Sequence, residues 1–411
     1  MSVRHTNLSR LGGRRSAAAV AGLLTVSLAV VGCSASAGEG ARPVSGAASS
    51  APSEAPTAPS ATISTNLAGG PVAVDTRLEV SAQHGTLDKV RVLAGPDQTP
   101  LRGRLSADRT SWTATQLLEP GLDYRLRAVA RNPADRRTVE NQRFHSEDLT
   151  LDRQTYPSIA PLAGETVGVG MPVIVQFDLP VQNKALFEKH LEVTSTPRQV
   201  GSWHWISDTE VHWRPKTYWQ PGTDVTVTAD VNSLPAGNGV YGQMSRSAGF
   251  HVGDSVISKV DVTSHLMRTF VNGKLARTIP ISAGKPGFTT RSGVKVIIEK
   301  FRQKRMDAAT IGIDEGDPEY YDLSNVEYAL RVTYSGEFMH AAPWSAGSQG
   351  AANVSHGCVG MSTADAAWLY GITKRGDVVD VTGSDRQMTL TNGYGDWNAS
   401  FADYKQGSAV S

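Results

Sequence analysis

From Asn66 onward the chain is written in short runs that alternate apolar and polar residues, the two-residue period of a half-buried β-strand. Arg77-Leu78-Glu79-Val80, Lys89-Val90-Arg91-Val92-Leu93 and Tyr124-Arg125-Leu126-Arg127-Ala128-Val129 are of this kind, and Gly95-Pro96 and Pro120-Gly121 punctuate them. Strands of this length between such turns predict an antiparallel sandwich over 66–148. The pattern then starts again. Trp112, Pro120, Gly121, Asp123 and Ala128 recur as Trp213, Pro221, Gly222, Asp224 and Ala229, all at an offset of 101 residues. A second sandwich over 149–253, copied from the first, follows. Neither copy contains Cys, so the two are immunoglobulin-like in architecture only. Trp203, Trp205, Trp213 and Trp219 read as core and interface residues rather than as a ligand platform.

Beyond Asp254 the texture changes. Val256 to Val262 alternates, and Asn272-Gly273 marks a tight hairpin. A Gly/Thr-rich loop from Lys285 to Gly293 precedes a strand over Val294 to Ile298. Glu327 to Tyr334 alternates again and leads into His340. Ser362 caps a helix running to Tyr370, and Arg375-Gly376-Asp377 turns into a strand over Val378 to Val381. The fold expected is mainly β: two sandwiches, then a β-rich domain over 254–384 with one short helix. In the extension 385–411, Trp397, Phe401 and Tyr404 are spaced to pack back on a domain, with loose final residues.

The amino-terminal 65 residues do not belong to this pattern. Arg4, Arg10, Arg14 and Arg15 precede an apolar stretch, Ala17 to Val31, too short to span a bilayer comfortably. It ends Val30-Val31-Gly32-Cys33, which resembles the lipobox of bacterial lipoproteins. That resemblance implies a signal peptide over 1–32, lipid on Cys33, and a place on the outer face of the cytoplasmic membrane. Residues 33–65, rich in Ser, Ala and Pro, read as a disordered tether. With 40 basic and 39 acidic side chains the net charge is +1, which offers no electrostatic case for a nucleic-acid partner.

Only two cysteines occur. With Cys33 lipidated, Cys358 has no partner, and a lone thiol in an oxidising compartment is a liability unless it reacts. It stands in Ser355-His356-Gly357-Cys358, with His340 upstream and fourteen residues between it and Ser355. Three readings fit. In the first, an imidazole activates the thiol for acyl transfer, and the Gly357 and Cys358 amides form an oxyanion hole. In the second, the histidines and cysteine bind zinc, for which the His356–Cys358 spacing is poor on a helix. In the third, Cys358 is a small buried hydrophobe.

His340, fourteen residues, then Ser355-His356-Gly357-Cys358-Val359 resembles the signature of the L,D-transpeptidases, with their YkuD-type catalytic domain. Val260 to Thr263, Ser282 to Phe288, Ser335-Gly336, His340 to Ser345 and Lys374 to Asp377 resemble that domain's other strands and loops. The whole arrangement resembles the actinobacterial enzymes with two immunoglobulin-like domains. The resemblance implies 3→3 cross-linking of peptidoglycan stem peptides. Cys358 attacks the meso-diaminopimelate carbonyl of a tetrapeptide donor and expels D-alanine, and a second stem's amine resolves the thioester. His340 is then the base, steadied by the Ala341 carbonyl, and Ser355, His356 and Gly357 shape the site. Met306, Tyr320 or Tyr321, and Trp344 line the pocket under a lid. No metal or organic cofactor is needed, and carbapenem β-lactams are expected acylating inhibitors. The family motif usually has Asn two residues after the Cys, where this chain has Gly360. That departure keeps open a rival of another class, a wall-associated scaffold with a weakened site. A sortase-like enzyme, needing an Arg soon after the Cys, has only Arg375 to offer.

Overall fold

The structure is a computed structural model, and it describes residues 58–410; the expected signal peptide, Cys33 and most of the tether lie outside the described residues. The first module has two four-stranded sheets. One joins Thr62–Thr65, Glu79–Gln83, Ser111–Ala114 and Gly103–Leu105; the other joins Thr99–Pro100, Thr86–Ala94, Asp123–Arg131 and Arg137–His145. Inward-facing Leu78, Val80, Leu87, Trp112, Tyr124 and Leu126 fill the space between them. The tether boundary shifts. Thr62–Thr65 pairs with Glu79–Gln83, Ala61 is buried, and Asn132 Nδ2 donates to the Pro59 carbonyl at 2.9 Å. Four residues of Thr-Ile-Ser-Thr are too short for their alternation to stand out beside a Ser/Ala-rich stretch.

The second module repeats the first in register, not just in sequence. Trp112 pairs with Leu105 and Trp213 with Trp203, and in each copy a glycine two residues before that partner lies under the indole. A Cβ on Gly103 would stand 2.1 Å from the Trp112 ring, and one on Gly201 2.3 Å from that of Trp213. Asp123 and Asp224 each open a strand and face a histidine across the ladder, His145 at 3.0 Å and His251 at 2.8 Å. The four tryptophans of this module are buried, as expected for core.

The third domain holds two sheets. The first runs Lys274–Pro280, Leu266–Val271, Val256–Asp261, Val378–Thr382, Gly293–Val296; the second runs Glu299–Asp307, Asp322–Arg331, Phe338–Ala341, Val359–Met361. Asn272 and Gly273 have φ of 47° and 78°, the left-handed pair that a two-residue hairpin requires. The helix Thr363–Ile372 starts at Ser362, whose hydroxyl accepts from the Asp365 amide. Second module and third domain share one apolar core, in which Val167, Val169 and Met171 pack with Val296, Ile298 and Val378. The backbones also touch: the Gly168 and Gly170 amides donate to the Arg375 and Gly376 carbonyls, both at 2.8 Å. A Cβ at Gly168 would lie 2.2 Å from Asp377 Oδ1, so the Val-Gly-Val-Gly-Met segment is glycine-dotted for this approach.

The extension begins on the third domain, with Met388 N donating to Ser292 O and Asn398 Nδ2 to Val294 O. It then crosses to the second module, and its last residues are held rather than loose. Trp397 Nε1 donates to Gly170 O at 2.7 Å, the Arg214 guanidinium lies over the Trp397 and Tyr404 rings, and Glu188 receives the Ala409 amide. At the centre, both ring nitrogens of buried His212 face carboxylates, Asp396 at 2.9 Å and Glu210 at 2.8 Å, and Tyr404 donates to the same Asp396 oxygen. Burial opposes charge on His212, yet the two carboxylates raise it to about 9. Burial likewise raises Asp396, and the facing imidazolium more than offsets this, leaving it below its ordinary range. The two signs differ. The His212 contribution is complete below its ordinary value near 6.5 and is lost as pH rises through about 9. The Asp396 contribution is present above the ordinary carboxyl value and is lost as pH falls. Asp396→Asn is expected to destabilise the unit by roughly 3–5 kcal/mol and to flatten the alkaline fall in thermal midpoint, both read by calorimetry between pH 4 and 10; an unchanged midpoint would remove the pair from its role.

Candidate active site

The segment that carries the thiol is shaped before it becomes a strand. Gly357 has φ of 117°, a region open to glycine, and the Ser355 hydroxyl bridges the turn by accepting from Gly357 N (3.1 Å) and donating to Cys358 O (2.6 Å). Thr290, from the Gly/Thr-rich loop, donates to Gly357 O at 2.9 Å. The chain then enters Val359–Met361, which pairs in parallel with Phe338–Ala341, placing His340 opposite Gly360. Residues two apart share a face of a strand. Cys358 and His340 therefore present to one face, while Met339, Ala341, Val359 and Met361 point into the core.

That face opens on a cleft of about 260 Å³ lined by Ser282, Met306, Tyr321, Leu323, His340, Trp344, Ser355, His356, Cys358 and Gly360 among others. Nine of the residues singled out in the sequence thus meet here or shape the turn: Cys358, His340, His356, Gly357, Ser355, Met306, Tyr321, Trp344 and Gly360. Tyr320 does not. It lies outside the lining, toward Asp307, while its neighbour Tyr321 sits 5.0 Å from the His356 ring. Of the two amides expected to form the oxyanion hole, the Gly357 N–H is engaged by the Ser355 hydroxyl at 3.1 Å, which leaves the Cys358 amide.

His340 is buried, and its Nδ1 lies 2.8 Å from the Ala341 carbonyl. A carbonyl accepts only, so Nδ1 carries the hydrogen and neutral His340 keeps an acceptor at Nε2. Burial holds its pKa below the ordinary value. Burial also pushes the Cys358 thiol up to about 11. Both groups are neutral at rest. The thiol donates to Gly336 O (Sγ···O 3.7 Å), and no hydrogen bond joins it to His340 among the described residues. Trp344 is more than half exposed and stacks on His340, ring centres 5.8 Å apart.

Four charged groups escaped the sequence reading. Glu319, on the segment that covers the cleft, accepts from His356 Nε2 at 2.8 Å and from Lys285, tying that segment to the cysteine loop. Nothing in the local pattern marks it. Lys295 and Glu337, both nearly inaccessible, form an ion pair behind the thiol, with Arg291 on the other Glu337 oxygen at 2.8 Å. A signal existed for Lys295: it is the one charge inside Val294 to Ile298, a run that otherwise reads as a buried strand.

Two family models match the chain, a bacterial Ig domain over 70–235 and an L,D-transpeptidase catalytic domain over 255–381. L,D-transpeptidase 2 of Mycobacterium tuberculosis is 34% identical over 341 residues, 82% of this chain and 82% of that one. The chain belongs to the L,D-transpeptidase family. As an L,D-transpeptidase it is a cysteine-dependent enzyme of peptidoglycan. L,D-transpeptidase 5 of the same species is 36% identical over 60% of this chain and 55% of its own length. Among solved structures, the L,D-transpeptidase LdtMt1 in complex with imipenem aligns over 56% of this chain and 99% of that chain at 35% identity, with a TM-score of 0.49.

In this L,D-transpeptidase Gly360 has a local cause. A Cβ there would stand 2.8 Å from the Ala342 Cβ, with Ser282 O and Ser345 Oγ beyond it at 3.7 and 3.8 Å. Gln349 Nε2 and Ser345 Oγ donate instead to the nearby Ala342 carbonyl, at 2.9 and 3.2 Å. Gly360→Asn is expected to destabilise the domain by roughly 1–3 kcal/mol through overpacking, measured by urea unfolding. Adding Ala342→Gly is expected to recover at least half of the loss; no recovery would mean the Ala342 contact is not the cause.

Proposed function

We propose that the enzyme forms 3→3 cross-links between meso-diaminopimelate residues of neighbouring stem peptides through a thioester on Cys358. The observation that carries this reading is the parallel register that sets His340 and Cys358 on one face, opening into one cleft, with His340 Nδ1 pinned on a carbonyl. Since thiol and imidazole are both neutral at rest, the proton leaves Sγ for His340 Nε2 as sulfur attacks the donor carbonyl. The tetrahedral oxyanion is met by the Cys358 amide and by the Tyr321 hydroxyl, a phenol that burial raises to about 12 and so keeps protonated. As the C–N bond to D-alanine breaks, His340 passes the proton to the departing amine. A diaminopimelate side-chain amine of a second stem then attacks the thioester, an amide forms, and the thiol is restored. His356, held by Glu319, and Trp344 shape the two sides of the entrance.

The delivery apparatus belongs to the same proposal. Lipid on Cys33 anchors the chain to the outer face of the membrane, and the sandwich modules carry the cleft into the wall. The resemblance of the motif to the family supports carbapenem acylation of Cys358.

Cys358→Ala is expected to abolish both conversion of disaccharide tetrapeptide and the mass increase with a carbapenem, read by intact-protein mass spectrometry; turnover surviving in that variant would sink the acyl-enzyme. Alkylation of Cys358 by iodoacetamide is expected to be slow at pH 7 and to climb steadily toward about pH 11. A rate already at its plateau near neutrality would show a resting thiolate and replace the concerted proton transfer.

A further inference from the structure

The outer face of the Thr86–Ala94, Asp123–Arg131, Arg137–His145 sheet carries four exposed arginines on adjoining positions. Arg91 lies opposite Arg127, Arg143 lies opposite Arg125, and Arg125 and Arg127 share a face of the middle strand. Paired strands lie about 4.8 Å apart and same-face residues about 6.8 Å apart, so the four guanidinium stems rise from a block of roughly 5 by 7 Å cells. None of the four has a hydrogen bond, ion pair or ring contact among the described residues. Exposed Lys89, two residues from Arg91, extends the row. Some arginines elsewhere on the surface are answered, Arg131 by Asp88 and Asp135, Arg153 by Glu147, Arg277 by Asp365; others, such as Arg104, Arg198 and Arg386, are exposed without a side-chain partner, and what sets the four apart is that they adjoin one another across the ladder. Like charges set directly across a ladder destabilise a sheet, and with a net charge of +1 the chain has no general excess of cations to scatter. The cluster is a local concentration of unpaired forks on a flat surface.

We propose that this face binds a linear phosphodiester polymer of the envelope, laid along the Arg125–Arg127 direction. The guanidinium fork matches phosphate oxygens two at a time. In a phosphodiester chain the charge sits in the backbone at every repeat, so one strand meets a fork at each step along the sheet. A bilayer surface fits less well. Interfacial binding joins basic residues to apolar side chains that enter the lipid, and the large apolar side chain offered here is a single valine, Val139, 37% exposed. The polymer holds the enzyme within the matrix that contains its substrate, and the cleft, built on a different domain, stays open.

The test uses residues 57–411, one compact unit, titrated calorimetrically with poly(glycerol phosphate). For four neutralised charges at about 0.7 per charge, affinity is expected to fall roughly 50-fold between 50 and 200 mM salt. Replacing Arg91, Arg125, Arg127 and Arg143 together by Gln is expected to weaken binding at least tenfold, with thermal midpoint and tetrapeptide turnover unchanged; replacing them by Lys keeps an intermediate affinity. Equal binding by the four-Gln variant, or none by the unmodified chain at 50 mM salt, overturns the proposal. Tighter binding to vesicles containing 30% phosphatidylglycerol overturns it in favour of a membrane, and equal binding to polygalacturonate overturns the assignment to phosphodiesters.

Discussion

The Lys295–Glu337 ion pair is the constraint on which the site depends. Lys295 belongs to the sheet that ends at Gly293–Val296, and Glu337 immediately precedes the strand that carries His340, so the pair joins the two sheets of the catalytic domain. Both groups are buried. Neither tolerates loss of the other, since an unpaired charge in such a place is far more costly than the pair is favourable. Glu337 is flanked by Gly336, whose carbonyl receives the thiol, and by Phe338, which packs beside Cys358. Fixing this one carboxylate fixes the floor under the nucleophile.

Around that floor the chemistry is arranged to keep charge low until substrate arrives. The thiol is buried against apolar neighbours, the imidazole is buried and steadied through its other nitrogen, and the positive and negative groups nearby already answer one another. Charge is then created at the reacting atoms in a place with little water to screen it, which is where fixed donors act most strongly. Glu319 works from the other side, linking the covering segment to His356 and Lys285.

Much of this was legible in the chain and some was not, for physical reasons. Strands with one wet face announce themselves by alternation, which is why Lys89 to Leu93, Tyr124 to Val129 and all but the last residue of Val256 to Val262 fall inside observed strands. The second sandwich was visible as a repeat because a Trp over a Gly and a Pro-Gly turn are steric requirements that survive in letters. The spacing of His340 and Cys358 was legible for the same kind of reason, being set by strand register. What escaped was long-range pairing. Lys285 and Glu319 are thirty-four residues apart and Lys295 and Glu337 forty-two; no local period connects them. The choice between Tyr320 and Tyr321 turned on which side of an irregular segment faces inward, and the Gly357 amide was claimed by a neighbouring hydroxyl whose rotation no sequence specifies.

The return of the extension to the second module has a mechanical consequence. The catalytic domain is joined to the sandwich below it at both of its ends, covalently near Asp254 and through the grip of residues 396–409 on His204, His212, Arg214 and Glu188. A pull applied between the cleft and residue 58 is divided between two attachments and resisted in shear by the backbone contact at Gly168 and Gly170. A domain held at one end by a single linker swivels under tension; one clasped at both ends transmits it, keeping the aim of the cleft while the polymer it works on is stretched.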